Sequence, residues 1–235
     1  MNTKFFYLLL LLFTTTYASD QLLVVLSKSF NSSTAMLQRY EKTSKLYTKV
    51  STPIRVNLGK NGLAWGKSSL LRDKSTITKH KKEGDLKSPA GLFELPFSFG
   101  YSPKFETQSR YRHATKSLIC VDDSHSKYYN TLIPITSSIE LKSFEWMRRD
   151  DNLYKLGIFV NHNEAQIKEA GSCIFLHVQK GYKSPTSGCT SMREDDLEAI
   201  IKWLDRKSTP LLLQIPHTEC QEFNEVFKGI DCTIF

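Results

Sequence analysis

The hydrophobic pattern breaks the chain into short apolar runs of strand length, followed near the C-terminus by one amphipathic helix. Residues 21–26, Gln21 followed by five apolar residues, predict a buried strand. Ser32 or Ser33 is placed to cap a helix running to about Tyr47, with Met36, Leu37 and Tyr40 on a partial apolar face. Residues 53–58 alternate as a strand, 59–62 read as a Gly-rich turn, and Leu63-Ala64-Trp65-Gly66 follows it. Further strands are predicted over 92–95, 156–160 and 210–215. Another spans 173–178, where alternation puts Cys173, Phe175 and His177 on one face and Ile174, Leu176 and Val178 on the other. Residues 180–188, rich in Gly, Ser and Pro, then turn the chain back. Ser191 and Glu194 make a capping box ahead of Leu197, Ile200, Ile201 and Leu204 at helical spacing, with Arg206 and Lys207 at the basic end.

This arrangement suggests chemistry at one cysteine. Cys189 falls just before the predicted helix N-terminus, where peptide dipoles favour an anion and a thiol ionises more easily than usual. His177, on the preceding strand, is placed to take its proton or to pair with it as an imidazolium. The two residue types alone suit equally well a small buried Cys and a satisfied core His. The helix cap and the turn Ser187-Gly188-Cys189 shift the balance toward a nucleophile.

His177, a gap, and then Ser187-Gly188-Cys189 resembles the signature of the L,D-transpeptidase, or YkuD-like, family of peptidoglycan enzymes. The match is closest to a secreted branch, across Gly171-Ser172-Cys173-Ile174-Phe175-Leu176-His177 and Pro185-Thr186-Ser187-Gly188-Cys189-Thr190-Ser191-Met192. Three other segments resemble the same branch: residues 59–66, the Gly84 to Gly91 turn, and the Ile119 to Asn130 stretch with Asp122 and Asp123. A fourth runs from Glu145 through Trp146, Arg148 and Asp150 to Tyr154. The resemblance implies a β-rich α+β fold, a β-sandwich with a helix after the catalytic Cys. It implies Cys189 as the acylated nucleophile, His177 as its base and Gly188 as part of an oxyanion hole. The substrate would be a peptidoglycan stem peptide, and a thioester the intermediate. Better-known members carry His before the Gly and Arg two places after the Cys, where this chain has Ser187 and Ser191. Ser187 is retained as a substrate-binding candidate, with Arg148 or Arg149 as a replacement carboxylate clamp. His162, after the 156–160 strand, is a third candidate for substrate contact. A hydrolase with the same residues, a papain-like peptidase and a non-catalytic wall-binding protein are the alternatives. In a papain-like order, however, Cys would precede His.

Composition narrows these readings. Residues 1–18 hold Lys4, a short apolar stretch and a small-residue exit, which predicts a cleaved secretory signal ahead of a catalytic domain over 19–216. The apolar stretch is shorter than the ~20 residues a spanning helix needs, so no membrane span is expected after cleavage. The formal charge of +8 favours anionic partners. An exported chain without a nucleic-acid motif makes carboxylate-rich wall peptides the better partner, and nucleic acid is not expected. The basic loop 66–88 reads as a solvated hairpin, with Asp85 fixing a turn and His80 given no role. Five cysteines leave one unpaired in an oxidising compartment, as a catalytic Cys189 requires. Cys120, Cys173, Cys220 and Cys232 permit three pairings. Cys220 with Cys232 is preferred because it closes the polar tail 217–235, while Cys173 also suits a packing role. No Cys or His spacing fits zinc, so no metal and no cofactor are expected.

Overall fold

The apolar run at the start becomes the middle of a large sheet. In the computed structural model, which describes residues 19–70 and 80–234, the strands in chain order are β1 (Gln21–Ser27), β2 (Thr34–Thr43), β3 (Leu46–Lys49), β4 (Ile54–Asn57), β5 (Leu63–Trp65), β6 (Ser88–Glu94), β7 (Ser98–Gly100), β8 (Tyr111–His113), β9 (Leu118–Cys120), β10 (Leu132–Pro134), β11 (Glu145–Trp146), β12 (Leu156–Phe159), β13 (Phe175–Val178), β14 (Thr190–Met192) and β15 (Leu211–Pro216). Helix α1 is Glu194–Trp203 and helix α2 is Cys220–Asn224. Every residue of β1 is buried, because it lies between β15, parallel to it, and β2, antiparallel. Among the described residues, 12 strands form one sheet in the order β5-β6-β15-β1-β2-β4-β14-β13-β12-β7-β8, with β3 paired to β2. A 3-stranded sheet, β10-β9-β11, stands apart. The fold is the β-rich α+β class expected, sandwich-like, with a helix after Cys189.

Two cores meet at β12 and β13. Ile158, Ile174 and Leu176 face a large core that includes Leu197, Ile200 and Ile201 of α1. Phe159 and Phe175 face a smaller one, with Phe99, Tyr154, Met147, Cys189 and the small sheet's Leu118 and Cys120. The predicted alternation along 173–178 is therefore present. Gly157, the register partner of His177, makes room on this second face: a Cβ there would lie 2.3 Å from the Phe99 ring. A disulfide from Cys120 to Cys173 fastens the small sheet to the residues leading into β13.

Three expectations are corrected. The stretch from Ser32 to Tyr47 is not a helix but the β2–β3 hairpin. Its Leu37 and Tyr40 are buried as predicted, yet β1 has a second edge whose backbone groups need partners, and β2 supplies seven register pairs from Gln21↔Glu41 to Ser27↔Ala35. Tertiary pairing overrides the local helical spacing. Secondly, Ser191 does not cap α1. It sits in β14, paired with His177 and Asn57, and the helix starts three residues later, at Glu194, behind Arg193, which makes no side-chain cap. The acidic first turn of Glu194, Asp195 and Asp196 is retained. Thirdly, the C-terminal segment is not a loose polar tail. Phe223, Phe227, Ile230 and Ile234 join the large core, Phe227 packs edge-on against Tyr47, and Lys49 pairs with Asp231 at 2.5 Å. The preferred Cys220–Cys232 bridge is formed there. The predicted signal, residues 1–18, and much of the 66–88 loop lie outside the described residues.

Candidate active site

The nucleophile candidate and its base are brought to one face by a parallel strand pair. β14 runs beside β13 with Leu176 opposite Thr190 and His177 opposite Ser191, so Cys189 arrives opposite Phe175. The Phe175 N–H donates to Cys189 Sγ at 3.3 Å, and the thiol reaches the Cys173 carbonyl at 3.6 Å. His177 lies two residues farther along the strand, about 7 Å at strand rise. Its Nδ1 is 2.8 Å from the Val178 carbonyl; since a carbonyl only accepts, Nδ1 carries the proton there. Both side chains line one cleft of about 370 Å³, together with Ser187 and Gly188. Cys189 is the free cysteine among the described residues.

Hydroxyl groups pin the turn before the sulfur. Ser88 Oγ donates to the Cys189 carbonyl at 2.9 Å and accepts the Gly59 amide at 2.8 Å. Thr186 Oγ1 donates to the same carbonyl at 2.5 Å and accepts the Gly188 N–H at 3.1 Å. The Gly188 amide is thus already engaged in this structure. A Cβ at Gly188 would stand 3.1 Å from the Lys87 carbonyl, so the close backbone approach explains the glycine. Asp85 accepts the Lys82 and Lys87 amides and pairs with Lys81 at 2.8 Å, which holds the facing loop as the predicted turn.

Burial sets the charge state, and here the expectation is corrected. The Cys189 thiol is pushed up to about 12, by burial first and then by the charge of Glu145, against the Phe175 amide and Lys81. His177 is lowered to about 4, again by burial first, with the Val178 carbonyl and Asp151 opposing and Arg149 reinforcing. The resting pair is a neutral thiol and a neutral imidazole, not a ready-made ion pair. The helix N-terminus that was to favour a thiolate begins at Glu194, too far along the chain to do so.

The remaining candidates divide. Ser187 is exposed at the cleft rim. Arg149 lines the cleft, forks onto Asp151 at 2.9 and 2.5 Å, and lies 5.0 Å above the Tyr154 ring. Arg148 does not line the cleft; it donates to the Tyr101 carbonyl at 2.9 Å in a separate surface depression that Arg149 also borders. His162 is 1% exposed and is not a lining residue; its Nε2 donates to the Ala170 carbonyl at 3.0 Å. Burial lowers it to about 4. The antiparallel β12–β13 pairing explains this, because the end of β12 that precedes His162 lies beside Ile174 and Phe175, away from His177.

Sequence reasoning gave no role to several groups the cleft contains. Glu145 accepts the Tyr154 hydroxyl at 2.6 Å, Glu83 accepts Ser172 Oγ at 2.7 Å, and Lys81 is 5% exposed. Asp122 lines the cleft too, with Oδ1 buried and without a hydrogen-bond partner. Glu145 and Tyr154 stood at the two ends of a segment already singled out. Lys81 had no signal among seven Lys and Arg of the 66–88 loop.

The family model for the YkuD L,D-transpeptidase catalytic domain matches residues 30–213. No curated protein matches the sequence. Among solved structures, the helical cell shape determining protein Pgp2 from Campylobacter jejuni is similar at 16% identity and a TM-score of 0.39, over 85% of this chain and 51% of that one. The chain thus spans about half the length of that protein.

Proposed function

Since the chain belongs to the L,D-transpeptidase catalytic domain family, whose members are cysteine-dependent enzymes, we propose that it is an exported peptidoglycan acyltransferase working through a thioester on Cys189. The single observation that carries this reading is that the free thiol of Cys189 and His177 share one cleft, while the other four cysteines are paired in two disulfides. Two cystines suit the oxidising side of a membrane. Among the described residues no helix is long and apolar enough to cross one.

In this reading the donor carbonyl, between a diamino acid and a D-amino acid of a stem peptide, enters the cleft above Cys189. With Nδ1 held by the Val178 carbonyl, Nε2 of His177 is the nitrogen that takes the thiol proton as sulfur attacks. Charge then develops on the carbonyl oxygen. The Cys189 amide is the proposed donor to it, because the Gly188 amide is occupied by Thr186. Such donors are worth roughly 3 kcal/mol each. His177 returns the proton to the leaving D-amino acid, and an amine of a second stem resolves the thioester. Arg149 and exposed Ser187 are placed to meet the substrate's carboxylates and amides.

Incubation of the protein with purified muropeptides, read by mass, tests this. A thioester adduct on the wild type and cross-linked products are expected, and Cys189→Ala should form neither while keeping the fold. Trimmed stems without cross-links would mean that water, not an amine, resolves the adduct. Unchanged product yield from Cys189→Ala would overturn the reading, and binding to sacculi without turnover would make the protein a wall-binding module.

A further inference from the structure

We propose that Tyr154 is a third catalytic group of this cleft, and that Glu145 is the positioning residue that turns its hydroxyl toward the sulfur. The proposal rests on the cysteine reading above and adds to it a device for making a buried thiolate. Tyr154 packs against His177 and shares a buried cluster with Cys189. Its ring packs edge-on against His177 at 5.3 Å and against Phe175 at 5.3 Å, and it is 5% exposed. Its hydroxyl lies 2.6 Å from Glu145 Oε2, and its side chain belongs to the same buried cluster as Cys189 and lines the same cleft.

A phenol has one proton, and here two acceptors compete for it. While Cys189 is a thiol, the hydroxyl donates to Glu145. Once the sulfur loses its proton to His177, the buried anion keeps the Phe175 amide as a donor, and in this proposal Tyr154, from the same buried cluster, supplies a second. The hydroxyl can turn only if Glu145 no longer requires it, that is, if the carboxyl carries its own proton and donates to the Tyr154 oxygen. The chain Glu145 O–H to Tyr154 O, Tyr154 O–H to Sγ then satisfies every group. No proton is gained or lost by the relay; the thiol proton is on His177. The surroundings favour this state. Burial raises the pKa of Glu145, and the charges of Asp122 and Glu83 act in the same direction, against Tyr154 and Arg149. Tyr154 is itself held far above the usual phenol range by burial, Cys189 and Glu145, so it donates and does not ionise. Lys81 and the Phe175 amide favour the anion from the sulfur's other sides, while Asp151 and Arg149 face His177. An ionised Glu145 would set a second negative charge in the same pocket and oppose the thiolate.

The full-length protein tests this with two readouts, alkylation of Cys189 by iodoacetamide followed by intact mass, and thioester formation on a tetrapeptide stem. Tyr154→Phe keeps the ring against His177 and removes only the donor. Both rates should fall at least about tenfold, with KM within about twofold. Glu145→Gln offers an amide N–H to the Tyr154 oxygen at every pH. Its rates should fall less than those of Tyr154→Phe, and it should lose the decline that wild type shows as pH rises and Glu145 ionises. Wild-type alkylation in Tyr154→Phe, or a Glu145→Gln profile that keeps the same decline, would overturn the proposal. Should Tyr154→Phe fail to fold, the Glu145→Gln profile decides alone. If no stem peptide acylates the wild type yet the alkylation differences are found, the relay stands and the substrate reading falls.

Discussion

At the scale of single residues, the cleft shows that burial outweighs the local features from which reactivity is usually read. A cysteine before an acidic helix start suggests a low pKa, but the enclosing Phe175, Cys173 and Tyr154 remove the water that would solvate the anion. Protonation of His177 below about pH 4 should abolish its role as base, so the acid limb of activity is expected near that value, not near 6.5. The same burial couples histidine to stability. His162 and His177 are both held near 4 in the fold and return to about 6.5 when unfolded, so the unfolded chain binds more protons between those values. Stability contributed by each is complete above pH 6.5 and is lost as pH falls toward 4; Glu145, raised in the fold, works in the opposite sense. His162→Gln keeps a donor for the Ala170 carbonyl. Urea denaturation across this window should therefore give a stability-versus-pH slope about one proton smaller than in wild type, and equal slopes would remove His162 from the account.

Elements differ in how much of their placement their own residues dictate. The apolar 22–26 run, the 173–178 alternation and the 210–215 run are each found as strands because burial on both faces leaves only one pattern. The β2 segment misled because Met36, Leu37 and Tyr40 satisfy a helical stripe as well as a strand, and only the unpaired edge of β1 decides between them. In the site, Cys189, His177, Gly188 and Ser187 were legible as one motif in neighbouring strands. Tyr154, Glu145, Asp122 and Lys81 come from segments distant in sequence, and nothing local says which of them face the cleft. Arg148 and Arg149 are adjacent and chemically alike, but of the two only Arg149 lines the cleft. The small sheet that carries Glu145 is joined to the nucleophile's surroundings by Cys120–Cys173, and Glu145 is the register partner of Cys120. Reduction of that bond should loosen β9 to β11 first. Hydrogen exchange is expected to show lost protection there with the large sheet intact, and Cys189 alkylation should quicken. Uniform protection in both sheets after reduction would show the disulfide to be dispensable.

For the molecule as a whole, the C-terminal segment closes the large core instead of trailing from it. Phe227 and Ile230 fill the space beside Tyr47, and the Tyr47 N–H donates to the Lys228 carbonyl at 2.8 Å. The Cys220–Cys232 bond, 12 residues apart, ties a short loop, for which chain-entropy arguments give about 3 kcal/mol. The double variant Cys220→Ser/Cys232→Ser should lose stability of that order in urea while leaving Cys189 alkylation unchanged; no loss would mean that Phe223 and Phe227 alone hold the segment. Four sulfurs of this chain are thus oxidised and one is not, in a protein small enough for them to meet during folding. Only a thiolate attacks a cystine. Kept as a protonated thiol by its dry surroundings, Cys189 is a bystander to its neighbour Cys173, and the fold can hold a free cysteine beside two disulfides without scrambling them.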